Sequence, residues 1–95
     1  MASDSTTELL STLEQAVQLL RDASQQRWAD WLERDRRLIA SGDFYGVEHL
    51  LRAFGGMGSI NDIALPDPSK NADLGSLLNR SYELASELRQ AKGGI

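Results

Sequence analysis

Apolar residues recur at helical spacing in four stretches of the chain, and this pattern predicts an all-α protein. The first stretch runs from Ser5 to Ala23. Ser5 and Glu8 have the spacing of a capping box, which satisfies free N–H groups at a helix start. The apolar face of this predicted helix consists of Leu9, Leu13, Ala16, Val17, Leu20 and Ala23, with Leu10 at its edge.

The second predicted helix covers Gln26 to Ala40, after a weak break at which Ser24 is a candidate cap. Its apolar face consists of Trp28, Trp31, Leu32, Leu38 and Ile39. Gly42 follows at the position where a C′ glycine ends a helix. The two tryptophans fill either the core or a protein interface, and we expect the core.

Asp35 lies near the centre of the apolar face of the second predicted helix. A carboxylate buried there needs a partner, because burying it unpaired is costly. The candidate partners are Arg52, Arg80 and the backbone N–H groups of the loop from Gly55 to Gly58. We predict that Asp35 accepts N–H bonds from this loop, so that its removal would also loosen the loop.

A third, shorter helix is predicted from about Phe44 to Phe54, with Asp43 as its cap and Gly46 weakening its first turn. Its inner stripe consists of Val47, Leu50, Leu51 and Phe54. His49 falls almost opposite that stripe, so we expect its side chain to face solvent.

Three of the eight glycines follow in a loop whose shape residues with a Cβ could not easily reproduce. A P-loop needs a Lys-Ser/Thr pair after its last glycine, and Gly58 is followed by Ser59-Ile60. The loop therefore packs helices, contributes to a partner surface, or cradles a small anion. Its candidate binding residues are Gly55, Gly56, Met57, Gly58, Ser59, Asn61 and Asp62.

The remainder of the chain is predicted to form one more long helix. Residues 60–65 form a single helical turn or a short extended piece, and the prolines in residues 66–70 indicate a connector. Asn71 or Asp73 then caps a final helix that runs to about Lys92. Its predicted face consists of Leu74, Leu77, Leu78, Ser81, Tyr82, Ala85 and Leu88. Four helices with short connections predict a compact antiparallel bundle.

The 95 residues predict one helical domain, in which we expect residues 1–4 to be disordered and residues 93–95 to form a tail. The net charge of −4 argues against nucleic acid and favours a basic partner. No cysteine is available for disulfides or thiolate chemistry, and the sequence pattern predicts neither a signal peptide nor a membrane span. These features favour a cytoplasmic protein, and a homodimer is possible.

No residue pattern predicts a catalytic, cofactor or metal site. His49 is the only histidine, and a zinc site is not expected without a second histidine or a cysteine. Ser59, Asp62 and His49 have no spacing that would support a hydrolytic set.

Three segments together suggest a family relationship, namely Trp28-x-x-Trp31, Gly42-Asp43-Phe44-Tyr45-Gly46 and Phe54-Gly55-Gly56-Met57-Gly58-Ser59-Ile60-Asn61-Asp62. They resemble a family of small uncharacterised bacterial proteins that share a glycine-methionine-glycine-serine loop followed by asparagine-aspartate. The resemblance covers about residues 9–88. It implies a bacterial cytosolic protein and assigns no activity.

The leading hypothesis is a non-enzymatic interaction protein, most concretely an immunity-type inhibitor that binds a basic toxin domain. Exposed acids such as Asp30 and Glu33 would speed association with such a partner by electrostatic steering. The alternatives are a small-ligand sensor that binds an anionic metabolite at the glycine-rich loop, and a structural homodimer.

Overall fold

The computed structural model describes residues 4–55 and 58–93, and within them all regular structure is helical. The elements are α1 (Asp4–Asp22), α2 (Gln26–Ala40), α3 (Tyr45–Leu51), a 3₁₀ turn (Ile60–Asp62) and α4 (Pro68–Gly93). The predicted all-α bundle is therefore confirmed, and α2 has the predicted bounds. Predictions for residues 1–3 and 94–95 fall outside the described residues, whereas Gly93, expected to belong to the tail, is the last residue of α4.

The core lies between α1, α2 and α4, and α3 contacts both α2 and α4. The predicted face of α1 is buried from Leu9 to Leu20, with Thr12 in addition, whereas Ala23 is only partly buried and lies beyond the end of the helix. Each fully buried leucine contributes about 1.5–3 kcal/mol of transfer free energy. The leucines that are less than 2% exposed are Leu9, Leu13, Leu20, Leu32, Leu50, Leu74 and Leu84.

The turn between α1 and α2 is a Schellman motif, in which Ser24 is the residue with positive φ. Its φ is 61°, its N–H donates to Arg21 O at 3.0 Å, and the Gln25 N–H donates to Leu20 O at 2.8 Å. Ser24 therefore ends α1 instead of capping α2, for which Gln25 is the N-cap residue.

The turn between α2 and α3 has the same motif with a glycine at the equivalent position, as predicted. Gly42 has a φ of 86° and donates to Ile39 O at 3.0 Å, while the Asp43 N–H donates to Leu38 O at 2.9 Å. Asp43 also accepts the N–H of Tyr45 at 2.9 Å through Oδ1, but the N-cap residue of α3 is Phe44, so Asp43 lies one residue before the predicted cap position.

α3 is shorter than predicted and ends at Leu51. Beyond it the chain tightens into bonds between residues three apart, because Ala53 N–H donates to Leu50 O and Phe54 N–H to Leu51 O. Gly55 then turns the chain away with a φ of 85°.

α4 begins at Pro68, so the predicted connector over residues 66–70 is shorter than expected, and the predicted caps Asn71 and Asp73 lie inside the helix. Asp67 is the residue that caps it. Its Oδ1 accepts the N–H groups of Ser69 at 2.9 Å and Lys70 at 3.2 Å. Proline at the first helical position has no N–H to leave unsatisfied, which explains why Pro68 begins the helix.

The inward face of α4 differs from the prediction at two positions. Leu84, which is not part of the predicted face, is only 1% exposed, and Tyr82, which is part of it, is 48% exposed. Ser81 is buried as predicted, and its hydroxyl donates to Leu77 O at 2.8 Å.

The start of α1 also differs from the prediction. The helix already includes Asp4, one of the residues expected to be disordered, and Ser5, so the predicted capping box is wrong. The carboxylate of Glu8 instead accepts two hydrogen bonds from Arg80 on α4, at 2.7 and 2.9 Å. This bidentate ion pair lowers the pKa of Glu8.

Candidate functional site

Asp35 is fully buried between α2 and α3, and its partner is His49. His49 Nδ1 lies within hydrogen-bond distance of Asp35 Oδ1, and the histidine side chain is only 15% exposed. The prediction that His49 faces solvent is therefore wrong. Within residues 4–55 and 58–93, none of the predicted partners binds Asp35, although its burial on the apolar face is confirmed.

Aromatic rings enclose the histidine. Trp31 stacks on the His49 ring with a centroid distance of 4.3 Å and an interplanar angle of 18°, and Tyr45 lies at 5.7 Å on the same helix as His49. Trp28 in turn contacts Trp31 at 5.3 Å and is 9% exposed. Both tryptophans therefore belong to the packing between helices, as expected.

Burial dominates the electrostatics of Asp35 and raises the pKa of this carboxyl from 3.8 to about 6. The hydrogen bond and charge of His49, then the charge of Arg34, act in the opposite direction. Trp31 Nε1 lies close enough to lower the pKa slightly, although neither it nor Asp35 Oδ2 has a partner of full hydrogen-bond geometry. The carboxylate therefore has one good hydrogen bond for two oxygens.

Gly46 explains how α3 comes close enough to α2 for this pair to form. A Cβ at this position would lie 2.8 Å from Leu38 Cβ and 2.9 Å from both Asp35 O and Ile39 Cγ1. Any side chain would therefore push the two helices apart. The glycine that weakens the first turn of α3 in the sequence is what permits the close approach in the structure.

An aspartate that orients a histidine is also the arrangement used for general-base catalysis and metal binding. Within residues 4–55 and 58–93, no group of three potential ligands could hold a metal ion. Ser59 is 8% exposed, and its hydroxyl has no hydrogen-bond partner in the part of the chain that the structure describes. His49 pairs with Asp35 and Asp62 accepts the N–H of Gly58, so the described residues show no contact among His49, Ser59 and Asp62. The Asp35–His49 pair, as the structure shows it, connects α2 to α3.

The glycine-rich loop is organised by Asp62 and not by Asp35. Asp62 Oδ2 accepts the N–H of Gly58 at 2.7 Å, and the Ile60 N–H donates to Ala53 O at 2.9 Å. Gly58 has a φ of 76° and is exposed, so its N–H does not need a buried carboxylate. The predicted contact of Asp35 is therefore absent at Gly55 and Gly58, and Gly56 and Met57 lie outside the described residues.

A groove of about 760 Å³ lies beside this loop, between the end of α3 and the second half of α4, and we call it the Tyr82 groove. Tyr82 forms one wall and contacts Phe54 edge to face at a centroid distance of 5.2 Å. The groove is lined by Leu51, Phe54, Gly55, Asn61, Asn79, Tyr82, Ser86, Arg89 and Gln90.

Two of the residues predicted as binding candidates, Gly55 and Asn61, line the groove. The two acids predicted to face a partner lie elsewhere, on α2. Asp30 is 71% exposed and pairs with Arg21 at 3.1 Å, so it remains a surface acid. Glu33 is 18% exposed, and its neighbours Arg36 and Arg37 bind it at 2.6 and 3.0 Å and lower its pKa. It is not the exposed acid that was expected.

The α4 residues that line the groove are not among the binding residues predicted from the sequence. Asn79, Ser86 and Arg89 lie on the polar side of the helical pattern, where solvent-exposed residues of these types are common. Only the exposed aromatic ring of Tyr82 distinguishes this surface. Its polar neighbours Asn79 and Glu83 hinted that the ring lies at an edge of the apolar face.

A family profile described as "Domain of unknown function (DUF6966)" matches residues 21–72, which is more than half of the chain. The chain belongs to this family. The matched segment contains α2, α3, the Asp35–His49 pair and the residues on both sides of the glycine-rich loop, and it ends near the start of α4. The relationship to an uncharacterised family is therefore confirmed.

No curated protein and no solved structure shows a significant match to the chain. Among residues 4–55 and 58–93, no helix combines the length and the apolar character required to cross a membrane.

Proposed function

We propose that this protein is a non-enzymatic protein–protein interaction module, and that it acts in a bacterium as an immunity-type inhibitor of a basic toxin domain. We further propose that the loop over residues 55–62 is a shared trait of its family. The observation that carries this proposal is the Tyr82 groove beside that loop.

Tyr82 has the character of an interface anchor. It is 48% exposed, and Tyr45 at 41% is the only other large apolar residue that is exposed within the described part of the chain. Tyrosine is enriched at protein interfaces because it supplies a large rigid contact area together with a polar hydroxyl. Phe54 supports the ring from behind, so little side-chain freedom would be lost on binding.

The net charge of −4 supports a basic partner, because complementary net charge raises the association rate. The association rate should therefore fall as salt rises, since ions screen charges beyond about 8–10 Å. Asp30→Asn should slow association slightly. Glu33 is already neutralised by two arginines, so its replacement tests helix stability instead of steering.

The test is affinity capture from the native cells with three baits, namely the wild type, Tyr82→Ala and Tyr45→Ala as the matched exposed tyrosine. Support requires a basic protein that the wild type and Tyr45→Ala retain and Tyr82→Ala loses. The captured protein must also arrest growth when expressed alone, and co-expression of the wild type must relieve that arrest. Retention by Tyr82→Ala would contradict the role of the groove.

A second candidate function, a sensor for an anionic metabolite, is favoured by Arg89. This arginine lines the same groove as Gly55 and makes no ion pair within the described residues. A blank capture, together with a thermal shift on an anionic metabolite that Arg89→Gln abolishes, would favour the sensor over the interaction module.

A further inference from the structure

We propose that the Tyr82 groove binds an extended segment of the protein partner that carries an acidic side chain, and that Arg89 pairs with its carboxylate. This inference rests on the interaction function proposed above and adds the chemistry of the bound segment.

The charge of the groove differs from that of the protein as a whole. The chain has 14 acidic residues against 10 basic ones, yet the described residues that line the groove include Arg89 and no acid. A guanidinium that is not already paired can bind a carboxylate through two parallel hydrogen bonds. The groove is therefore complementary to a carboxylate, even though the protein is acidic.

The uncharged groups of the groove suit a peptide backbone. Asn61, Asn79 and Gln90 carry side-chain amides, and each amide can donate and accept a hydrogen bond. A residue of an extended segment likewise offers one N–H and one C=O. Phe54 and Tyr82 lie among these amides and offer an apolar surface to one side chain of the segment. A small carboxylate would use Arg89 but would leave most of these groups without a partner.

The length of the groove fixes the length of the segment. Asn79 and Gln90 mark its two ends on α4, and the 11 helical steps between them, at 1.5 Å each, span about 16.5 Å. An extended chain rises about 3.3 Å per residue, so about five residues cover the same distance.

An acidic residue in the segment is compatible with a basic partner. Steering acts through net charge over about 10 Å, whereas Arg89 acts at contact distance. The two effects can therefore favour opposite charges at different places on the same partner.

The test titrates two capped pentapeptides, acetyl-Ala-Ala-Leu-Asp-Ala-amide and its asparagine counterpart, into isotope-labelled protein and follows amide chemical shifts. The aspartate peptide should bind at least about tenfold more tightly, because charge-assisted hydrogen bonds to a carboxylate are stronger than neutral ones. The shifts should appear at Gly55, Asn61, Asn79 and Gln90. Arg89→Gln should abolish the tenfold preference. Lys70→Gln, which removes one charge at the start of α4, should keep it.

Three results would overturn the proposal: equal binding of the two peptides, no binding of either, or binding of free succinate as tight as that of the aspartate peptide. Succinate would show that the groove takes a small carboxylate instead of a segment. Capture with an Arg89→Gln bait separates the two proposals. A partner lost by Tyr82→Ala but retained by Arg89→Gln supports the interaction function and refutes the acidic segment.

Discussion

Replacing Asp35 with asparagine should increase the stability of the protein relative to the wild type, and this difference should grow as the pH rises. Asparagine keeps the shape of the side chain, and its Oδ1 can still accept a hydrogen bond from His49. It cannot ionise, so the cost of burying a charge disappears. The comparison of Asp35→Asn with the wild type therefore isolates the free energy that is linked to this one carboxyl.

The pKa of Asp35 sets the size and the sign of the effect. The fold raises this pKa from 3.8 to about 6. Protonated Asp35 is thus favoured in the folded state, and its stabilising contribution is complete below pH 3.8 and lost as the pH rises through about 6. A shift of roughly 2 units corresponds to about 3 kcal/mol, of which about 2 kcal/mol falls between pH 4.5 and 7.5.

The assay is urea unfolding of both proteins between pH 4.5 and 7.5, followed by far-ultraviolet circular dichroism. The titrating groups that do not contact Asp35 are the same in the two proteins and largely cancel in the difference. The free energy of unfolding of Asp35→Asn, minus that of the wild type, should increase by about 2 kcal/mol over this range. A difference that stays constant, or that falls as the pH rises, would refute the assignment of Asp35 as a carboxyl destabilised by burial.

His49→Phe provides a second measurement with its own expected direction. The ring of phenylalanine can still stack on Trp31, but it has no N–H to donate to Asp35. Since the hydrogen bond of His49 lowers the pKa of Asp35, its loss should raise that pKa further. The loss of stability should then extend to higher pH than in the wild type. An unchanged pH range would show that the hydrogen bond has little influence on the carboxyl.

Three further predictions concern the backbone of the fold. Asp62→Ala should speed amide exchange at Gly58, whereas Asp35→Ala should lower the melting temperature without changing that exchange. If exchange at Gly58 instead responded to Asp35→Ala and not to Asp62→Ala, Asp35 would be the residue that binds the loop. Gly46→Ala should lower the free energy of unfolding by about 1–3 kcal/mol through overpacking, and the melting temperature by several degrees. An unchanged melting temperature would show that α3 can move away from α2 freely. Ser24→Gly should raise the free energy of unfolding, measured by urea unfolding, by about 0.5–1 kcal/mol, because it relieves a positive φ in a residue with a Cβ. A lower free energy of unfolding would contradict this prediction.

The sequence by itself determined the helices and most of the turns. The period of α1 and α2 identified their buried faces, and Gly42 marked the end of α2 because few other residues adopt positive φ. These are local properties, decided within one or two helical turns. The sequence also placed Asp35 on a buried face, because the period of one helix is enough to assign that position.

The tertiary structure decided what Asp35 and Tyr82 contact. A helical wheel assumes one buried face, but α3 packs against both α2 and α4, so His49 on its far side is covered as well. Gly46 makes that coverage possible by the absence of a Cβ, which appears in the sequence only as a weak helix former. Tyr82 lies at the edge of the α4 face, where Phe54 contacts its ring and the residue remains 48% exposed. The partner of a buried charge and the exposure of an aromatic ring depend on how distant helices meet, and the periodicity of one helix contains no information about its neighbour.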